Sequence, residues 1–153
     1  MRFIFLISTL CFVLGDARGL FAQDAKSPIA DPVLAKQLGA DERGMRKYIL
    51  VILKTGPHRM PDGAARDEMF KGHFANIQRL ANEGKLGLAG PFGDKTDWRG
   101  MFIFAVNTQK EAEELVSTDP VIKEGEMVAE YHSLYSSAAI IALKEIHDRI
   151  APH

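Results

Sequence analysis

The sequence predicts an α+β protein of the ferredoxin-like class, in which the elements run strand, helix, strand, strand, helix, strand, with one further helix at the C-terminus. Two observations predict this class. Short apolar runs rich in strand-forming residues alternate with stretches of helical periodicity, and glycine or proline separates them. The composition, 46% hydrophobic and 25% charged over 153 residues, is that of one folded domain of ordinary size.

The expected elements follow from these runs and their breaks. They are a strand at 47–53, a helix at 64–83, strands at 85–92 and 100–106, a helix at 109–116, a strand at 126–134 and a helix at 138–150. Thr108 and Glu111 form a capping-box pattern at the start of the second helix. The ferredoxin-like domain is therefore expected over residues 47–137, and residues 138–153 form a C-terminal helix and tail.

The N-terminus is expected to lie outside this domain. Arg2, an apolar run of about a dozen residues and a small residue at Ala22 are typical of a signal peptide over residues 1–22. Cleavage after Ala22 predicts a secreted or periplasmic protein that has no membrane contact afterwards, and a retained anchor is the alternative. Residues 23–46 show no sustained period and are expected to form a spacer with one short helical turn.

Charge and cysteine content exclude several classes of function. The net charge is −1, so there is no basic excess for binding nucleic acid. The single cysteine, Cys11, lies in the expected signal peptide. The mature chain therefore has no thiol for a disulfide, a nucleophile or a thiolate metal site. No metal-ligand spacing links the histidines, and no cofactor is implied.

The helix at 64–83 carries an unusual inward face. At about 100° per residue, its apolar positions fall within an arc of about 140° that is expected to face the sheet. The arc contains Met69, Phe70, Phe74, Ile77, Leu80 and Ala81. His73 and Arg66 lie near the middle of this arc, about two turns apart, so both are expected to point at the sheet. His73 is then either a neutral core histidine with one hydrogen bond or a functional group.

The strands at 47–53 and 100–106 are apolar at successive positions, so both faces of the sheet are expected to be apolar. Helices cover only one face in this arrangement. A partner sheet is the simplest cover for the other face, and we therefore expect a homodimer.

Several short motifs occur in a fixed order along residues 48–135. They are Gly72-His73-Phe74 on the helix, Ala89-Gly90-Pro91 at a strand end, Gly100-Met101-Phe102-Ile103 and Asp119-Pro120. In this order and at this spacing the segment resembles the YciI-like (YCII-related) family. The resemblance implies a dimeric α+β barrel with a His-Asp dyad in a cleft between helices and sheet. It also implies a small-molecule enzyme, since a lyase of the dehydrochlorinase type is among the family's better-defined activities.

Four residues are expected to have roles, three of them from the resemblance and Arg66 from its position two turns before His73 on the same helix face. His73 matches the family histidine and would be the general base, and Asp119 matches the family aspartate and would orient it. Arg66 could hold the carboxylate or phenolate of a small organic acid or phenolic ligand. His132, with Glu130, resembles a Glu-x-His pattern on the last strand and is expected to bind substrate, although Ser133-Leu134 stands where the family often has Pro-Trp.

Each of these assignments has a structural alternative. Asp119 followed by Pro120 is a standard N-cap pair, and the Arg66 stem could lie along the core with its head in solvent. Trp98 and Arg99, in the expected hairpin link, could close over a ligand or pack at the dimer edge. We therefore expect a lyase or isomerase that works by general acid/base catalysis, and the alternative is a non-catalytic module for ligand binding or assembly.

Overall fold

The structure is a computed structural model that describes residues 31–151. The expected signal peptide over residues 1–22, its cleavage site, the first part of the spacer and the last two residues of the tail lie outside the described residues.

The described residues form a single antiparallel sheet with helices. In order the elements are α1 (Pro32–Gln37), β1 (Met45–Thr55), α2 (Ala64–Asn82), β2 (Leu86–Pro91), β3 (Trp98–Phe104), α3 (Gln109–Val116), α4 (Pro120–Lys123), β4 (Met127–Ser137), a 3-10 helix (Ala138–Ala142) and α5 (Leu143–Ile150). The strand order is β2-β3-β1-β4. This is the ferredoxin-like order, so the predicted fold class is confirmed.

Strand pairing moves several boundaries away from their predicted positions. β1 and β4 pair without interruption from Met45 opposite Ser137 to Thr55 opposite Met127, so both are longer than their apolar runs. β3 begins at Trp98, so Trp98 and Arg99 lie in a strand rather than in a link. The predicted C-terminal helix is divided into a 3-10 helix and α5.

The core lies between the sheet and the helices. It includes alternate side chains of β1, namely Ile49, Val51 and Leu53, and two side chains of β3, Phe102 and Phe104. The intervening residues of β1 and β3 lie on the other sheet face because successive side chains alternate. That face carries Leu50, Ile52, Met101 and Ile103. The central strands β1 and β3 are therefore apolar on both faces, as the sequence predicted.

The buried stripe of α2 differs from the predicted arc. Its buried residues are Met69, His73, Asn76 and Leu80, which follow helical spacing along one line. Phe74, predicted to face the core, is 63% exposed. Two polar side chains lie in the buried line because a buried carboxylate on the neighbouring helix pairs with both of them, as described below. Among the described residues no helix has both the length and the apolarity needed to cross a membrane.

A buried ion pair fixes the loop between β1 and α2. Glu126, immediately before β4, is fully buried, and one of its carboxylate oxygens accepts a hydrogen bond from Arg66 Nη2 at 2.7 Å. The other oxygen accepts the backbone N–H of Met60 at 2.7 Å. Arg66 also contacts Asp62 at 3.4 Å and lies 4.7 Å from the centre of the Phe70 ring. The first turn of α2 and the preceding loop are thus tied to the start of β4.

The charge on Glu126 is maintained by these partners. Burial is the largest single effect and raises the pKa of the Glu126 carboxyl, but hydrogen bonds from Arg66 and Met60, with the charges of Arg66 and Arg59, together lower the pKa below 4.5. A carboxyl whose pKa is lower in the folded state than in the unfolded state stabilises the fold above its unfolded pKa. That contribution is lost as the pH falls through the folded-state pKa.

We predict that Glu126→Gln lowers the free energy of unfolding at pH 7 by about 2–3 kcal/mol, because it leaves the Arg66 guanidinium without its buried partner. This figure is smaller than the cost of breaking a fully buried pair because the Arg66 side chain is 16% exposed. Urea unfolding measures the difference, and Glu124→Gln, at an exposed position, is the matched control. The two variants should converge as the pH falls below about 4.5. An unchanged difference in acid would contradict the assignment.

Candidate functional site

The structure brings His73 of α2 and Asp119, at the start of α4, into direct contact. His73 Nδ1 lies 3.0 and 2.9 Å from the two carboxylate oxygens of Asp119. Both residues are buried, and Asp119 is completely so. The two residues that the resemblance assigned to a dyad therefore form a hydrogen-bonded pair.

Asp119 is also the N-cap of α4. One of its oxygens accepts the backbone N–H of Val121 at 3.1 Å, and Pro120 occupies the first helical position. The capping role and the histidine contact therefore occur together, because the carboxylate has enough lone pairs for both.

Gly72 allows the two helices to approach each other. A Cβ atom at position 72 would lie 3.0 Å from Pro120 Cγ, tighter than an ordinary van der Waals contact. With glycine there, α2 comes close to the start of α4, and the next residue, His73, reaches Asp119. The Gly72-His73 motif and the Asp119-Pro120 motif thus describe two sides of one packing contact.

Asn76, which the sequence analysis did not select, completes the surroundings of Asp119. Its Nδ2 donates to Asp119 at 3.3 Å, while its Oδ1 accepts from Arg79 Nη2 at 2.8 Å and from the Thr118 hydroxyl at 3.1 Å. Arg79 can only donate, so it fixes the amide with its NH₂ group toward the carboxylate, while the single Thr118 hydroxyl proton also has the Leu115 carbonyl within 2.7 Å. Its place three residues after His73, on the same helix face, was the available signal.

These contacts determine which nitrogen of His73 is free. With Asp119 ionised, Nδ1–H donates to the carboxylate, so the lone pair of the neutral ring is on Nε2. Among the described residues Nε2 has no hydrogen-bond partner. It is not one of the side-chain atoms that are both unpartnered and closed off from solvent. The free nitrogen can therefore reach a ligand.

His73 lines an open cavity of about 370 Å³ between α2 and the ends of β2 and β3. This volume lies within the range of small-ligand sites. The lining residues are Leu53, Phe70, His73, Phe74, Ile77, Ala89, Gly90, Pro91, Arg99, Gly100, Met101, Phe102 and Met127. Of these residues in the described part of the chain, only His73 and Arg99 have polar side chains. The cavity is therefore apolar with two polar groups.

Three phenylalanine rings surround the imidazole. The ring centre of His73 lies 6.0 Å from Phe70, 5.4 Å from Phe74 and 6.1 Å from Phe102. The exposed position of Phe74 is explained by this arrangement, because its ring lies at the wall of the cavity instead of in the core. An aromatic ligand could contact these rings next to Nε2.

The structure does not bring Arg66 to this cavity. Its guanidinium is paired with Glu126 and Asp62, and the residue is not among those that line the cavity. Helical periodicity placed Arg66 correctly on the inward side of α2, but the charge that it meets there is a carboxylate of the protein. The guanidinium of Arg66, predicted to bind substrate, is therefore engaged by carboxylates of the protein.

His132 lies on the opposite side of the sheet from His73. Its register partner is Leu50, whose side chain is on the face away from α2, whereas neighbouring Tyr131 faces the core. His132 Nε2 is exposed and lies 2.8 Å from Glu130 Oε1, so these two residues share a face as the strand alternation predicted. Within the described chain, the predicted substrate-binding residue His132 does not meet the His73 cavity.

Among residues 31–151 no group of three or more His, Cys, Asp or Glu side chains is placed to hold a metal ion. The site described above therefore consists of the His73–Asp119 pair, the supporting Asn76 amide, the apolar walls and Arg99.

Comparison with known proteins supports the assignment of a family. No curated protein matches the chain. The matching solved structures include 5-chloro-2-hydroxyhydroquinone dehydrochlorinase from Burkholderia phenoliruptrix AC1100 in complex with 2,5-dihydroxybenzoquinone, at 21% identity and a TM-score of 0.38. The match covers 56% of this chain and 90% of that one. The model of the YCII-related domain matches residues 47–132, more than half of the sequence. The chain therefore belongs to the YCII-related domain family.

Proposed function

We propose that the protein is a small-molecule enzyme in which His73 transfers a proton to or from a ligand bound in the cavity. The observation that carries the proposal is that Nδ1 of His73 is bound to a buried carboxylate while Nε2 is unpartnered in an open, apolar cavity. A histidine that only filled space in the core would not need one nitrogen bonded to a carboxylate and the other open to the cavity.

The proposed chemistry is general acid/base catalysis. Nε2 takes a proton from the ligand, and the imidazolium that forms is stabilised by Asp119 at Nδ1. In an elimination, the electron pair left by the proton forms a double bond as the leaving group departs with its own pair. In an isomerisation, His73 returns the proton to a different atom of the same ligand. Asp119 and Asn76 orient the imidazole in both cases.

The ligand class that we propose is a small organic acid or a phenolic. Apolar walls and the phenylalanine rings around His73 suit a compact apolar body, and a cavity of about 370 Å³ limits its size. The test is a thermal-shift screen of the purified protein against small organic acids and phenolics, followed by product analysis of each hit. Ligands that bind but are never converted would favour the alternative, a non-catalytic binding module.

We predict that His73→Gln lowers turnover of a converted hit by about 10²- to 10⁴-fold, because the base is lost, while the protein stays folded with a lowered melting temperature, because Asp119 loses one of its buried donors. Steady-state kinetics and thermal unfolding measure the two effects. His147→Gln, at an exposed position on α5, is the matched control and should leave turnover unchanged. Full turnover in the His73 variant would end the proton-transfer proposal.

We predict that Asp119→Asn moves the ring proton of His73 from Nδ1 to Nε2. If the new amide keeps its oxygen on the Val121 N–H, its NH₂ group takes the position 2.9 Å from Nδ1, where a ring N–H would meet it donor to donor, so an Nδ1 that accepts is favoured. The base lone pair is thereby lost from the cavity. Two-dimensional ¹H–¹⁵N spectra of the imidazole distinguish the two tautomers without any substrate, and Asp67→Asn, exposed on α2, is the control. A tautomer that does not change would refute the orienting role of Asp119.

We also propose that the protein is a homodimer formed through the sheet face away from α2. The middle of that face carries Leu50, Ile52, Met101 and Ile103 beside the polar pair of Glu130 and His132, and Val128 on it is 44% exposed. A second copy would remove this surface from water.

We predict a dimer in sedimentation equilibrium that Val128→Glu weakens, because the new carboxylate loses its hydration when the face is covered. Val33→Glu makes the same change at a 66% exposed position on α1 and should leave the assembly intact. A monomer at every concentration tested would contradict the dimer.

A further inference from the structure

We propose that Arg99 is the anion-binding residue of the cavity and that it selects ligands with one anionic group next to a compact apolar body. This inference rests on the proposed function for its site, since it places the ligand beside His73. It assigns to Arg99 the role that the sequence analysis expected of Arg66.

The first observation is that the charge of Arg99 is uncompensated. Lys54 pairs with Asp97 and Glu130, and Arg66 pairs with Glu126. Arg99 makes no hydrogen bond or ion pair through its side chain with any described residue, although it is half-buried. A charged side chain of a half-buried residue that has no partner in the protein can be paired by an anion that a ligand supplies.

The second observation is the backbone at Arg99. Leu53 pairs with Gly100 and the next residue, Lys54, pairs with Trp98, so Arg99 is the extra residue of a β-bulge. Bulges redirect side chains and are frequent beside active sites. The Arg99 carbonyl accepts the Phe92 N–H at 3.2 Å, which holds the bulge to the end of β2. The bulge can redirect the Arg99 side chain while the hydrogen bond holds its backbone, and both properties suit a residue that binds a ligand.

The third observation is the composition of the cavity lining. No acidic side chain lines the cavity within the described residues, and the walls are otherwise apolar apart from His73. A cationic ligand would therefore be repelled by Arg99 and have no counter-charge. A neutral ligand would leave the Arg99 charge unpaired. An anion with an apolar body can pair with the Arg99 charge and also contact the apolar walls of the cavity.

The experiment uses benzoate and benzamide, which have nearly the same shape and differ in charge. Binding to the full chain is followed by NMR shifts of the Ile77 and Met127 methyl groups, which line the cavity. We expect benzoate to bind about tenfold more tightly than benzamide. In Arg99→Gln this preference should disappear, and in Arg149→Gln, which removes the same charge from an exposed position on α5, it should remain.

Three results would overturn the inference. They are equal binding of the two probes, a benzoate preference that survives in Arg99→Gln, and the absence of cavity shifts with either probe at millimolar concentrations. Failure of the proposed function gives a different result. In that case benzoate still binds with a preference that depends on Arg99, while no ligand is converted in a reaction that depends on His73.

Discussion

The hydrogen bonds around the buried Asp119 carboxylate connect the fold of this protein to its chemistry. A buried carboxylate is costly unless donors surround it, and here the donors are His73 Nδ1 and Asn76 Nδ2 from α2 and the Val121 N–H from α4. These contacts stabilise the junction of the two helices and also fix the imidazole so that Nε2 faces the cavity. The same three donors that make the burial of the charge tolerable therefore also orient the imidazole.

Local rules predicted much of the fold because they act over a few residues. The capping box of Thr108 and Glu111 is present, and Asp119-Pro120 begins a helix as this pair usually does. Apolar runs placed all four strands. Their ends were less predictable because strands extend wherever a partner strand offers hydrogen bonds, as at Met45 and Ser137.

The site was less accessible to sequence reasoning because it depends on contacts between distant residues. Helical periodicity turned Arg66 inward but could not show that Glu126 meets it there. Turn-forming residues before Trp98 suggested a link, whereas pairing with β1 makes a strand with a bulge at Arg99. The pairing of His73 with Asp119 was expected only from the resemblance to a family, because neither residue signals the other across 46 positions.

The two buried ionic contacts of the domain illustrate how one type of interaction can serve structure or chemistry. In the Arg66–Glu126 pair both carboxylate oxygens are bound by groups of the protein, and the pair lies away from the cavity, so its effect is to hold a loop. In the His73–Asp119 pair the carboxylate is equally saturated, but the imidazole has a second nitrogen that the fold leaves unbound. The difference lies in the partner: a histidine joins a buried charge on one side to a ligand on the other, while Arg66 is already paired on the protein side. This physical difference explains why His73, and not Arg66, has an atom free to meet a molecule in the cavity.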